Sequence, residues 1–197
     1  MKTSVIILAA GQGKRMGTVK QLLPWGDTTV LGQSITCYND INIDKLIIVV
    51  GYKADLIKEI FSQDKITWAY NEDFAGDMAS SFKKGFEKID NDTEVLYLAL
   101  GDTPAIKAET LQLMESVYDK NRYKIIIPMV NGRKGHPVLF SKDIFKDLEM
   151  VGENYNLKDV IKNHDDEVYY LQVEDENIIH DIDTIEEYET LLRKNNL

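Results

Sequence analysis

The sequence predicts an α/β fold with a mainly parallel central sheet covered on both faces. Three observations predict it. Short apolar runs alternate with amphipathic stretches of helical period along most of the chain. Two of the runs, Leu46–Val50 and Val95–Leu100, are apolar almost throughout, as strands buried on both faces are. Gly-rich and carboxylate-bearing segments follow such runs, and open parallel sheets bind ligands outside the carboxyl ends of their strands.

Taken in order, Val5–Leu8 reads as the first strand. Val30, Leu31, Ile35 and Tyr38 share one helical face, and Leu46–Val50 is the next strand. The pattern repeats with Leu56, Ile57, Ile60 and Phe61, then strand Ile66–Tyr70. It repeats again with Met78, Phe82, Phe86 and Ile89, then strand Val95–Leu100. Leu111, Met114, Val117 and Tyr118 form another helical face before strand Lys124–Pro128. After Pro128 the rhythm changes. Asn131-Gly132 signals a turn, and His136–Phe140 suits an antiparallel return strand. Helices near 142–149 and 156–163 follow, then two short strands, Val168–Val173 and Asn177–His180. A last helix carries Ile185, Tyr188, Leu191 and Leu192. With no repeat, low-complexity tract or linker, the 197 residues read as one domain spanning 1–197.

Charge and cysteine usage narrow the function. A net charge of −10 leaves no excess cation to release counterions, which argues against a general nucleic-acid or anionic-membrane binder. The lone Cys37 lies in an apolar helical stretch and has no partner in the chain, which suggests a buried thiol and a reducing compartment. Val5–Leu8 is too short for a signal-peptide core and no run approaches membrane-spanning length, so a cytoplasmic protein is expected.

Against this acidic background the segment Leu8–Lys20, LAAGQGKRMGTVK, stands out. It follows the first strand and holds small residues (Ala9, Ala10), glycines (Gly11, Gly13) and cations (Lys14, Arg15, Lys20). Glycines let backbone N–H groups approach a phosphate, and the cations offset several negative charges. The segment fits a nucleotide triphosphate. It departs from a dinucleotide fingerprint, because Met16 stands at the third glycine and Gly17 comes one residue late. It departs from a P-loop, because neither Gly13-Lys14-Arg15 nor Met16-Gly17-Thr18 supplies Gly-Lys-Ser/Thr. A plain Gly-rich turn with solvated charges is the simplest alternative. Three cations within seven residues weigh against it.

Other chemistry-bearing residues also sit at strand ends. Asp102 follows Val95–Leu100 and can either hold a hard divalent cation or cap the turn at Thr103-Pro104. Asp181 and Asp183 precede the last helix, where a capping role and a metal or substrate role are both open. Gly76, Ser80 and Ser81 lie where a loop enters a helix, and their N–H and O–H groups could read the polar edge of a base; Asp77 could simply cap that helix. Gly135-His136-Pro137 offers an imidazole. A phosphate monoester, with a second pKa of about 6, is largely ionised near neutral pH and needs no strong base, which favours a positioning role. The three histidines lack zinc-ligand spacing.

These blocks also carry a family resemblance. L-A-A-G-x-G-x-R-M-G-x-x-K resembles the opening motif of nucleotidyltransferases with a glycosyltransferase-A-like fold, and more specifically of the molybdenum cofactor cytidylyltransferases. The resemblance continues in order through KQLLPW, VVGY, LALGDTP, GRKGHPVLF and DIDT, nearly the whole chain. It implies a three-layer, Rossmann-like nucleotide-diphospho-sugar transferase fold. It also implies a Mg²⁺-dependent transfer of CMP from CTP to the phosphate of molybdopterin, with pyrophosphate leaving. By the same resemblance Leu8, Ala9, Ala10, Gly11, Gly13, Lys14, Arg15, Lys20, Gly76, Ser80 and Ser81 bind nucleotide. Arg15, Lys20 and Asp102 are catalytic. Gly135 and His136 face the acceptor, and Asp102 holds the metal with Asp181 or Asp183 as second ligand. Thr103 is a departure, since relatives often carry methionine there. An apo molybdenum hydroxylase is the implied recipient of the product. A different phosphorylated acceptor, such as a sugar or alcohol phosphate, and a non-catalytic cofactor-carrying chaperone are the alternatives. Guanylyltransferase relatives tend to have glycines where Ala9 and Ala10 stand, so their methyls are expected to favour CTP over GTP by about 1–3 kcal/mol of steric exclusion.

Overall fold

The computed structural model describes residues 1–13, 15–61, 65–152 and 155–197. Its strands are β1 (Thr3–Leu8), β2 (Pro24–Trp25), β3 (Thr28–Thr29), β4 (Lys45–Val50), β5 (Thr67–Tyr70), β6 (Val95–Leu100), β7 (Ile125–Val130), β8 (Arg133–Lys134), β9 (Val138–Ser141) and β10 (Val168–Gln172). Its helices are α1 (Val30–Thr36), α2 (Ala54–Ile60), α3 (Met78–Phe86), α4 (Ala108–Asn121), α5 (Phe145–Glu149), α6 (Leu157–Asn163) and α7 (Ile185–Lys194). The main sheet runs β10-β7-β9-β6-β1-β4-β5, with β8 on β7. The β1 strand lies between β4 and β6 and is parallel to both, whereas β9 is antiparallel to β6 and β7.

The strand alternation of the sequence sorts its side chains into two cores. Val5 and Ile7 of β1 face one side, with Leu31 and Tyr38 around α1, Ile57 of α2 and Leu111 and Met114 of α4. Ile6 faces the other, with Phe82 of α3, Phe145 and Leu148 of α5 and Val160 of α6. This is the three-layer, mainly parallel α/β architecture that the sequence predicts. Near-continuous apolar strands are its signature, because both faces of the sheet are covered.

Three local features go beyond the sequence pattern. Asn131 and Gly132 both adopt positive φ, 51° and 76°, which is the two-residue turn that a right-twisted hairpin demands. That turn joins β7 to the very short β8, and the return strand β9 is then inserted between β6 and β7. The β2–β3 hairpin, unannounced in the sequence reading, follows a 3₁₀ turn at Lys20–Leu22 and leads directly into α1. The strand expected at Asn177–His180 is corrected to a 3₁₀ helix, Glu176–Ile179. The cause is Asp175, whose carboxylate accepts from the Asn177 backbone N–H at 3.1 Å and side-chain amide at 2.9 Å, turning the chain. Among the described residues no helix is long and apolar enough to cross a membrane.

Candidate active site

The site is built where β1 and β6 end side by side. Their parallel register pairs Leu8 with Leu100, so Ala9 and Gly101 leave the sheet together. The Gly101 N–H donates to the Leu8 carbonyl at 2.9 Å, and a Cβ at Gly101 would stand 3.0 Å from that of Ala9. Asp102 follows at once. Its carbonyl accepts from the Ile182 N–H at 3.0 Å, which brings in a segment eighty residues later. Ile182 is fully buried with Met16, Trp25, Val30 and Leu191. Burying that middle residue leaves Asp181 and Asp183 to turn together toward Asp102.

As a result Asp102, Asp181 and Asp183 each offer a carboxylate oxygen within 4.8 Å of the others. Asp102 Oδ1 is buried without a hydrogen-bond partner among the described residues. A buried, unpaired carboxylate oxygen beside two further carboxylates suits a hard divalent cation, which takes oxygen ligands. The capping question for Asp183 is answered by its neighbour. Thr184 is the N-cap of α7 and forms a capping box with Glu187. The Asp183 carboxylate is thereby free to meet Arg15 at 2.6 Å and Lys20 at 3.0 Å.

Lys20 is the centre of the cluster. The 3₁₀ turn places it in the sheet's mouth, where its Nζ lies 2.5 Å from Asp102 Oδ2 and 2.9 Å from the Ile182 carbonyl. Burial pulls its ammonium pKa down, but the Asp102 and Asp183 carboxylates outweigh burial and hold it above the usual lysine range. Burial pushes the Asp102 carboxyl up. The Lys20 charge opposes that rise, and Asp181 and Asp183 reinforce it. Burial also pushes Asp183 upward, yet Lys20 and Arg15 together hold it below the ordinary carboxylate range.

The first loop closes one wall of an adjoining cleft. Gly13 has φ +57°, and a Cβ there would lie 2.7 Å from the Thr18 carbonyl, so the turn requires glycine. Its carbonyl accepts from the Met16 and Gly17 N–H groups. Gly11, Gly13, Arg15, Lys20 and Asp183 line a cleft of ≈ 300 Å³ opposite Phe74 and Ala75. Lys14, expected on the phosphates, lies outside the described residues. Leu8 is half-buried at the end of β1. The methyls of Ala9 and Ala10 pack into the two cores, one on each face of the sheet. That corrects the steric argument for nucleotide choice, because the space these methyls fill is core space.

Just beyond Phe74 and Ala75 in the chain, Gly76 closes a tight turn through its N–H to the Asp73 carbonyl at 3.1 Å. Asp77 caps α3 by accepting from the Ser80 N–H. Ser80 and Ser81 both accept from the Asn71 side-chain amide, at 3.0 and 2.9 Å. Gly135 packs tightly on the Ile178 turn, where a Cβ would lie 2.5 Å from the Ile178 carbonyl. The His136 N–H donates to that same carbonyl at 2.9 Å. Burial lowers the His136 pKa, against the Leu98 backbone and Asp181, so its imidazole is neutral at neutral pH. Thr103 is buried and its hydroxyl donates to the Leu100 carbonyl at 3.0 Å.

The structure thus gathers Arg15, Lys20, Asp102, Asp181 and Asp183 into one cluster, while Gly76, Ser80 and Ser81 stand on a separate element. Two buried polar residues escaped the sequence reading. Gln21 ties the first loop by donating to the Ala9 and Gly11 carbonyls, at 3.2 and 3.3 Å. Asn71 holds the two serines. Gln21 could have been found from its place beside Lys20 in KQLLPW; Asn71 opens the 71–86 segment but carries no pattern of its own.

A profile of the MobA-like NTP transferase domain matches residues 5–168. The chain belongs to that family. It is a nucleotidyltransferase. The molybdenum cofactor cytidylyltransferase of Escherichia coli K12 is 31% identical over 187 residues, 94% of this chain and 93% of that protein. Among solved structures, Rv0371c from Mycobacterium tuberculosis H37Rv superposes with a TM-score of 0.85 at 27% identity, covering 98% of both chains. The same protein in complex with manganese superposes at 0.78 and 26% identity, covering 98% of this chain and 99% of that one.

Proposed function

We propose that this nucleotidyltransferase transfers CMP from CTP to the terminal phosphate of molybdopterin, giving molybdopterin cytosine dinucleotide and pyrophosphate. The observation that carries the reading is the Lys20–Asp102–Asp183 cluster at the carboxyl ends of β1 and β6, in a chain similar along 94% of its length to a molybdenum cofactor cytidylyltransferase. A pterin phosphate oxygen attacks the α-phosphorus in line, the bond to the bridging oxygen breaks, and pyrophosphate departs with that electron pair. The work left to the protein is positioning and charge stabilisation.

Arg15 and Lys14 bind the β- and γ-phosphates, whose charge grows as pyrophosphate leaves. Lys20 serves the α-phosphate. Gly76, Ser80 and Ser81 read the cytosine edge, with Asn71 orienting the two hydroxyls. His136 positions the acceptor, whose phosphate is already largely ionised and needs no general base. Gly135 supports it by its close contact with Ile178. Asp102, Asp181 and Asp183 would hold Mg²⁺, which would act as a Lewis acid and offset the negative charge of the phosphates. The product's recipient is an apo molybdenum hydroxylase, and the working compartment is the cytoplasm.

A nucleotide panel with pyrophosphate detection tests the reading. CTP with molybdopterin should release pyrophosphate, and GTP should be a poorer donor. Turnover with a sugar phosphate or alcohol phosphate in place of the pterin would reassign the acceptor. Binding of molybdopterin without pyrophosphate release under any nucleotide would mark a carrier instead of an enzyme.

A further inference from the structure

An ammonium group has three N–H donors. In Lys20 all three are matched within the acidic cluster, by Asp102 Oδ2, the Ile182 carbonyl and Asp183 Oδ1 at 2.5, 2.9 and 3.0 Å. So placed, Lys20 has no donor left for a phosphate. Two of its three partners are carboxylates of the candidate cation site. A divalent cation on the unpartnered Asp102 Oδ1 would sit in the same small group of carboxylates, close to the ammonium. A cation and an ammonium drawing on the same two carboxylates repel each other strongly in a buried site. The Lys20 side chain is long and flexible, while its backbone is held in the 3₁₀ turn and by neighbouring Gln21. The side chain can therefore withdraw without moving the loop.

We infer that Lys20 and the divalent cation are alternative occupants of the Asp102–Asp181–Asp183 cluster, so that metal entry displaces the ammonium and frees it for the substrate phosphate. This rests on the metal reading of the cluster. It makes Lys20 a built-in competitor of the metal in the nucleotide-free protein, and it couples metal loading to arming of the phosphate-binding lysine.

Mn²⁺ titration of nucleotide-free protein, followed by calorimetry and by the spin-resonance signal of free Mn²⁺, tests the exchange without turnover. Lys20→Met should bind Mn²⁺ about tenfold tighter or better, since it removes the repelling charge. Lys20→Arg should stay near the wild type. Equal or weaker binding by Lys20→Met, or no binding at all, overturns the exchange. Asp102→Asn is titrated alongside: wild-type affinity in that variant would overturn the metal site itself, and with it the exchange. Should Lys20→Met not fold, the wild type still decides. Amine-reactive labelling of Lys20, read by peptide mapping, should speed up on adding Mn²⁺. Unchanged or slower labelling overturns the proposal.

Discussion

Replacing Asp175 by alanine should destabilise the protein by about 3 kcal/mol. Asp175 is buried, 3% exposed, and lies in the link between β10 and the Glu176–Ile179 turn. One carboxylate oxygen accepts from the Lys107 N–H at 2.8 Å and the Thr110 hydroxyl at 3.1 Å. The other accepts the two Asn177 donors that shape the turn. Lys107 is the N-cap residue of α4 and has no side-chain cap of its own, so Asp175 caps that helix from a distant part of the chain. Hydrogen bonds to a charged group are worth about 1.5–3 kcal/mol each, and four would sum to far more than the net effect. Two corrections reduce it. Removing the carboxylate relieves a desolvation penalty of several kcal/mol. The donors of half-buried Asn177 and exposed Lys107 can find water. The lasting loss is the α4 cap, about 1 kcal/mol, plus the buried Thr110 hydroxyl and the turn, about 2 kcal/mol together. Urea unfolding at neutral pH measures it, with the denaturant slope unchanged. Asp175→Asn keeps the acceptor for Asn177 but sets an amide against the Lys107 N–H, and about half the loss should remain. A loss below about 0.5 kcal/mol in the alanine variant, the range of an ordinary surface change, would refute the reasoning.

Gly85→Ala sets two effects against each other. Helix propensity favours alanine by about 1 kcal/mol, but the new Cβ would meet Ile6 Cγ2 and Val49 Cγ2 at 2.8 Å, where α3 lies on the sheet. Overpacking of about 1–3 kcal/mol outweighs propensity, so the melting temperature should fall; a rise would show that α3 moves off the sheet freely. Asp102→Asn should stay folded, because Lys20 keeps its contacts to Asp183 and Ile182, yet lose about a hundredfold or more in kcat. Near-normal turnover at saturating Mg²⁺ would remove Asp102 from the mechanism. His164 bridges Glu167 at 2.6 Å and Asp147 at 3.0 Å. The Glu167 hydrogen bond raises its pKa against burial, and Asp147 adds to the rise. A folded value above the unfolded one, near 6.5, gives stability that is full below that value and is lost as pH rises through the folded pKa. The urea midpoint should therefore drop between pH 6 and pH 9, and His164→Gln should flatten the drop; an equal slope in both proteins would exclude His164 as its source.

The strands and helices were legible in the sequence because each is a local period. Runs such as Leu46–Val50 and Val95–Leu100 need no partner to be read, only the rule that strands covered on both faces are apolar at consecutive positions. The cationic loop stands out for a similar reason: its glycines and basic residues follow directly on an apolar strand in an otherwise acidic chain. The turn at Glu176–Ile179 has the sequence pattern of a strand, and its cause, the Asp175 carboxylate, acts through hydrogen bonds that leave no periodic trace. The sequence by itself determined the fold class and the residue types of the site, since these follow from neighbours along the chain. Only the tertiary structure decided which residues meet. The β1–β6 register sets Ala9 beside Gly101, the buried Ile182 turns two carboxylates toward Asp102, and the Thr184 cap leaves Asp183 to Arg15 and Lys20. It also decided that the Ala9 and Ala10 methyls belong to the core, because which way a side chain points at a strand end depends on what covers the sheet there.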